Sequence, residues 1–382
     1  MRPWPLLLAL ALAGGLPTHA SHAATITVAP GQSLQEALLR AADGDVIEIA
    51  AGDHHGQAGL ILQRRLTLRG VGGRPVLHAD GQHAEGKALL VVRDGDVHID
   101  NLEFRGARVP DGNGAGIRFE SGKLHVSRCA FIDNQNGILT GNVGTAELTV
   151  HDSEFAAAPA GRSLPHLLYV GRIASFTLSG SYFTGGHHGH LVKSRARANR
   201  IFYNRLDDRP GGQASYELEF PHGGLVWVVG NVLAQGADTS NPTLLAFGAE
   251  GSPDARPQGL YLSHNTFISE GLRPAFFVRV HEGKLGAAVP QRVANNLFVG
   301  LGLADVDWGS AAEGNFVVPA ALLQPDAHGL PRLAPDAWLR GRAVQAGMAQ
   351  GEPLQPGAEF HPPTGTRPLP ARAHWAPGAF QD

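Results

Sequence analysis

Asn204-Arg205-Leu206, Asn231-Val232-Leu233, Asn265-Thr266-Phe267 and Asn296-Leu297-Phe298 repeat one pattern: an amide residue followed two places later by a large apolar one. The pattern runs upstream, with other residues at its first position, through Leu102-Glu103-Phe104, Cys129-Ala130-Phe131, Ser153-Glu154-Phe155 and Ser181-Tyr182-Phe183. A weaker last copy is Asn315-Phe316-Val317. The apolar positions are spaced by 19 to 34 residues. A repeat of that length predicts one turn of a solenoid per copy. Before most copies stands a short alternating stretch, such as Leu124-His125-Val126, Phe176-Thr177-Leu178 or Val226-Trp227-Val228, which reads as a strand. Equivalent strands of successive turns would then pair in parallel, about 4.7–4.9 Å apart. The column Asn204, Asn231, Asn265, Asn296 and Asn315 is predicted to form a ladder of buried amides along the axis, not a reactive site. Cys129 lies in the same column; as the single cysteine it has no disulfide partner and reads as a packing residue.

The 382 residues would permit several domains by length alone, but a repeat array is one continuous body. Hydrophobic residues make up 43% of the chain, enough for a long core, and 50 Gly with 26 Pro favour many tight corners over long helices. A formal charge of -3 argues against a dedicated nucleic-acid binder. Residues 1–23 read as a signal peptide: Arg2, the apolar run Leu6 to Ala13, and small residues at the cleavage spacing in Thr18-His19-Ala20 or Ser21-His22-Ala23. Secretion or a periplasmic location follows, and no segment is long enough for a membrane span.

Residues 24–320 read as the coil. Its opening strand, 25–31, leads to Ser33-Leu34-Gln35-Glu36, a capping-box signature, with Leu34, Ala37, Leu38 and Ala41 on one helical face. Such a helix would cover the open apolar end, as terminal repeats of solenoids must. Residues 321–382 are Pro-rich and aperiodic, and their aromatics predict an irregular tail packing on the coil.

The opening Val28-Ala29-Pro30-Gly31-Gln32-Ser33-Leu34-Gln35-Glu36-Ala37, then Asp43-Gly44-Asp45-Val46-Ile47 and the repeats, resembles the right-handed parallel β-helix superfamily. Its best-known members are pectate lyases and other polysaccharide lyases. The resemblance implies an all-β solenoid, but the scaffold hosts many activities, so chemistry must be argued from residues.

Aligning turns on the repeat superimposes His166-Leu167-Leu168-Tyr169-Val170, His190-Leu191-Val192-Lys193-Ser194 and Tyr216-Glu217-Leu218-Glu219-Phe220. Alternation points Leu168, Val192 and Leu218 inward and Tyr169, Lys193 and Glu219 outward, one per rung. His166, His190 and Tyr216 open the same strands. The surrounding sequence is basic, from Arg162 and Arg172 through Arg195, Arg197, Arg200 and Arg205 to Arg209. A cationic groove suits an acidic polysaccharide or oligosaccharide. Cleaving a uronate by β-elimination needs a base for the proton beside the carboxylate, a cation to neutralise the charge, and an acid for the departing oxygen. Lys193 is predicted as base, Arg195 as the neutralising cation, and Tyr169 or His190 as acid. His166, Arg172, His188, Tyr216, Glu217 and Glu219 are predicted to contact substrate. Lys193-Ser194 followed by Asn199-Arg200-Ile201-Phe202-Tyr203-Asn204 is similar to the lysine turn of alginate and chondroitin lyases, which implies the same role for Lys193. Those enzymes carry an arginine on the next turn, where this chain has Tyr216, Glu217 and Glu219. The two glutamates would instead suit a Ca2+ ion that neutralises the substrate carboxylate.

Three other readings stand beside this one. The row is also consistent with a solvated face on which Lys193 and Glu219 form an exposed ion pair. A hydrolase would need two acids at the right separation from Glu217, Glu219 and Asp207. A noncatalytic carbohydrate-binding or periplasmic assembly protein would need exposed aromatics, for which Tyr169, Tyr216 and Trp227 are the candidates. The turn Gly186-His187-His188-Gly189-His190 places histidines two apart but lacks an adjacent acidic ligand, so no metal is assigned to it. A monomer is expected.

Overall fold

The computed structural model describes residues 23–161, 164–209, 211–309 and 312–381; the signal-peptide reading of residues 1–23 lies almost wholly outside them. Among the described residues the chain winds into three parallel sheets of 12, 11 and 10 strands, called A, B and C here. Each central turn contributes one strand to each. In one such turn Ser175–Ser179 belongs to sheet A, Tyr182–Thr184 to sheet B and His190–Ser194 to sheet C.

The repeat marks the corner from A to B. The residue entering it takes a left-handed conformation, as at Asp152 (φ 50°), Gly180 (φ 59°) and Tyr203 (φ 58°). The chain then bends sharply, and the next residue's backbone N–H must find a partner inside the coil. The amide column supplies it. The backbone N–H of Asn231 donates to Asn265 Oδ1 at 2.9 Å, and the Asn231 side-chain amide donates to the same oxygen at 3.1 Å. Asn204 bonds Asn231, Asn265 bonds Asn296, and Asn296 bonds Asn315 in the same way. Upstream the column continues through Ser181, Ser153 and Cys129, each of whose N–H donates to the next side chain. Cys129 is fully buried, and burial pushes its thiol up to about 12, so it is a packing residue.

Two residues further on, the apolar member of the repeat points to the axis. Phe104, Phe131, Phe155 and Phe183 stack with ring centroids 5.0, 4.6 and 4.5 Å apart. Leu206 and Leu233 extend the column, and Phe267 stacks on Phe298 at 5.2 Å. The repeat read from the sequence is thus one hydrogen-bonded ladder and one apolar stack, running side by side.

The helix Leu34–Arg40 covers the first turn with Leu34, Ala37 and Leu38 buried, and Ser33 Oγ accepts the N–H of Glu36. Leu38 lies so close to the strand beneath that a Cβ at Gly59 would come within 2.7 Å of it. After the coil the chain returns along the outside. Trp227 is covered by the tail and its indole N–H donates to Ala349 O at 3.0 Å; the Ala379 N–H donates to Thr266 Oγ1 at 3.0 Å. Phe380 and Leu339 pack over Val232, Ala234, Ile268 and Leu297. These contacts cover sheets A and B towards the C-terminal end; the outer face of sheet C is where the titratable row stands.

Candidate functional site

Hydrogen-bond register sets the rows. Tyr169 faces Lys193, Lys193 faces Glu219, and His190 faces Tyr216 on successive rungs of sheet C. Period-two alternation holds for the second half of these strands and fails in the first. Leu167 and Leu168 are both in the core, as are Leu191 and Val192, because the chain is still turning out of its corner there. Glu217 occupies the position equivalent to Leu191, so it points into the coil and not, as expected, to the outer face. It is 1% exposed, and neither carboxyl oxygen has a hydrogen-bond partner. Burial, and secondarily the nearby Asp208, push its pKa well above the ordinary glutamate range. Glu217 therefore does not contact a surface ligand, and Glu217 and Glu219 do not form the carboxylate pair expected to take Ca2+.

The outer face holds a connected cluster. Lys193 Nζ lies 3.1 Å from Glu219 Oε2 and 3.1 Å from Glu250 Oε1. Arg195 approaches both Glu250 oxygens, at 2.8 and 2.6 Å, and its other nitrogen donates to the Tyr169 hydroxyl while the guanidinium sits 5.1 Å over that ring. Beneath them His166, His190 and Tyr216 stack, with centroids 4.6 and 4.9 Å apart. His166 Nδ1 accepts the backbone N–H of His190 at 3.0 Å and lies 2.9 Å from His190 Nδ1. Since one nitrogen lone pair faces both donors, the ring proton of His190 belongs on Nδ1. Its Nε2 then presents a lone pair to Glu219 Oε2, 3.2 Å away.

Electrostatics shifts the proton affinity of each group. Burial, then His166, Lys193 and Arg195, hold His190 well below the ordinary histidine range, and burial with the same two cations lowers His166 to about 3. Both rings are neutral at pH 7. Burial raises Glu219 above the usual carboxylate value, although Lys193 opposes the shift. The neutral His190 ring thus faces a carboxyl whose proton affinity burial raises. Burial also acts to raise Glu250, but hydrogen bonds from Arg195 and Lys193 outweigh it and leave this carboxylate below the ordinary value. Glu250 is thus the ionised partner of both cations.

Glu250 was not found in the sequence. It lies on the segment from Gly248 to Gln258, between the sheet C strand Thr243–Phe247 and the sheet A strand Gly259–Ser263. The buried Arg256 fixes this segment by donating to the carbonyls of Arg195 and Ala196 at 3.0 and 3.4 Å. Arg197 holds it from outside, 3.4 Å from Asp254. His222 completes the rim 3.6 Å from Glu250, lowered to about 4 by burial and then by Arg195 and Arg256. The long interval of 34 residues between Asn231 and Asn265 was the available signal that this turn carries an insertion.

Other expected contacts lie apart. Arg172 is exposed just beyond the strand of Tyr169, its N–H held by Asn142. His188 is exposed on its turn with φ 57°, packed against the ring of His187. The basic run is not one stripe, because a run of that length wraps the whole circumference. Arg200 pairs with Glu352 on sheet A, while Arg205 and Arg209 pair with Asp207 at the corner after sheet B. Trp227, held beneath the tail, is no sugar platform.

No protein-family model matches the sequence, and neither does any curated protein. Among solved structures the chain is similar to that of pectate lyase Pel9A, with a TM-score of 0.59 at 13% identity over 94% of this chain and 97% of that one. The coil is a pectate lyase-like β-helix. At that identity the likeness carries the right-handed parallel architecture and no residue role. Among the described residues no helix is long and apolar enough to cross a membrane.

Proposed function

We propose that the outer face of sheet C binds an acidic polysaccharide by its carboxylates and cleaves it by β-elimination. One observation carries the reading: Lys193 and Arg195 already converge on a carboxylate, that of Glu250, carried by an exposed loop. Arg195 meets it through two close contacts to its oxygens, an arrangement that suits a uronate equally well. A substrate carboxylate would take the place of Glu250 on Arg195. Lys193 would then be released from Glu250 and face the substrate, with a guanidinium beside it and Glu219 behind.

In that state Lys193 removes the proton on the carbon next to the carboxylate. The electron pair forms a carbon–carbon double bond, the bond to the glycosidic oxygen breaks, and Tyr169 supplies that oxygen's proton. Arg195 holds the Tyr169 hydroxyl and offsets the developing charge. His190, whose two nitrogens are engaged by His166 and Glu219, positions Glu219 and is not the acid.

Incubation with polygalacturonate, alginate and glycosaminoglycans, followed by ultraviolet absorbance of the unsaturated product, tests the reaction. Lys193→Arg separates its two halves. Arginine keeps the charge but does not deprotonate, so binding should persist while absorbance growth stops. Binding with no unsaturated product in the wild type would leave a noncatalytic carbohydrate-binding protein; new reducing ends without that absorbance would make it a hydrolase. If no acidic glycan binds, the assignment of this face is wrong.

A further inference from the structure

A second cluster lies on another face, near the N-terminal end of the coil. On sheet A, the strands Asp96–Asp100 and Lys123–Ser127 pair so that His98 faces His125. Their rings stack with centroids 4.4 Å apart and planes 11° from parallel. Asp96 precedes His98 by two residues, so its side chain shares the same outer face. Its Oδ1 lies 3.3 Å from His98 Nε2 and 3.6 Å from His125 Nε2. That oxygen is shielded from solvent and has no hydrogen-bond partner.

Three potential ligand atoms lie within 4.8 Å of one another, and one of them is a carboxylate oxygen shielded from solvent without a hydrogen-bond partner, which polar atoms so placed rarely lack. Ligand atoms about 2.0–2.2 Å from a tetrahedral ion stand roughly 3.3–3.6 Å apart, by the geometry of that coordination. The two measured separations fall in this range. We infer that Asp96, His98 and His125 form a three-ligand site for a divalent transition-metal ion of the zinc class. Two imidazoles and one carboxylate suit zinc or copper better than calcium or magnesium, which take oxygen. A cleft of about 400 Å3 lined by Asp43, Arg65, Thr67 and His98 adjoins the cluster and leaves room for a fourth, exchangeable ligand.

The neighbouring cluster of His55, His78 and Asp80 differs in one respect. There each imidazole already meets its own carboxylate at hydrogen-bond distance, His55 with Asp80 at 2.9 Å and His78 with Asp53 at 2.8 Å. Its ligand atoms also lie within 4.8 Å of one another, but an ion there would have to break two hydrogen bonds, so that cluster serves as the internal control.

The test uses the full chain stripped of metal by a chelator, then titrated with Zn2+ by calorimetry and with Co2+ by visible absorption. The wild type should bind one ion tightly and give the intense Co2+ band of a tetrahedral site. Asp96→Asn and the double variant His98→Ala/His125→Ala should weaken that event by at least the roughly 10–100-fold that losing even an outer partner of a ligand costs. They should also lose the Zn2+-dependent rise in melting temperature, which follows from ion binding to the folded state alone. The variant His55→Ala/His78→Ala should keep all three properties. Circular dichroism checks that each variant folds. If the wild type takes up no ion, or if the His98/His125 variant keeps the same binding and the His55/His78 variant loses it, the assignment is wrong.

Discussion

Lys193 and Glu219 face each other on adjacent rungs of sheet C, Nζ to Oε2 3.1 Å, and the same ammonium lies an equal 3.1 Å from Glu250 on the loop above. Burial raises the proton affinity of Glu219, whereas Arg195 and Lys193 lower that of Glu250, so the charge of Lys193 is balanced more from the loop above than from the sheet below. Glu219→Gln, which fixes a neutral side chain, should leave acidic-glycan binding and its pH profile between pH 5 and 8 within about twofold of wild type. Calorimetry across that range measures it. A profile displaced by a unit or more would mean that Glu219 is ionised.

Glu250 occupies the groups that a substrate carboxylate needs. Glu250→Ala should therefore tighten binding of an oligouronate by roughly fivefold, the equivalent of a partly exposed ion pair of about 1 kcal/mol. The gain should shrink at high salt. Weaker binding in this variant would show that the loop carboxylate helps to hold the ligand instead of competing with it.

Glu217 is a carboxyl in a column of leucines. Its folded pKa is raised, so its contribution to stability is present below the ordinary glutamate value of 4.5 and is lost as pH rises through the folded value. Glu217→Leu should stabilise the protein by about 1–4 kcal/mol at pH 7 or above and much less at pH 4. Denaturant midpoints at the two pH values decide the point; an equal effect at both would remove the ionisation argument.

Asn265 Oδ1 accepts from both the backbone and the side chain of Asn231. Asn265→Ala leaves the buried backbone N–H of Asn231 without a partner, while the Asn231 side-chain amide keeps the carbonyls of Ile201 and Val229. The expected loss is about 2 kcal/mol or more, read from urea unfolding. An exposed asparagine such as Asn113, replaced in the same way, should change stability by less than about 0.5 kcal/mol.

The column of Asn204, Asn231, Asn265 and Asn296 was legible because a parallel coil stacks equivalent residues, and an amide there can accept from its neighbour on the preceding turn and donate to a carbonyl of that same turn. The same stacking made the alignment of Tyr169, Lys193 and Glu219 readable. Glu217 was not, since a strand leaving a corner turns two consecutive side chains inward and alternation assumes it does not. Glu250 escaped because it belongs to a corner segment with no counterpart on other turns. The run from Arg172 to Arg209 looked like a stripe only because one-dimensional distance ignores winding, and Trp227 was hidden by a tail whose path no periodicity announces.

The segment between Phe247 and Gly259 is joined to the coil at points whose strand pairing is set elsewhere, by the neighbouring rungs. It can lengthen, shorten or change composition without moving the register of a single strand. Specificity on this face is therefore modular. Exchanging the exposed part of this segment while keeping the buried Arg256 is enough to present a different chemistry to the same sheet. A lineage built on such a coil can explore new ligands at little risk to folding, and an engineer can do the same with one graft.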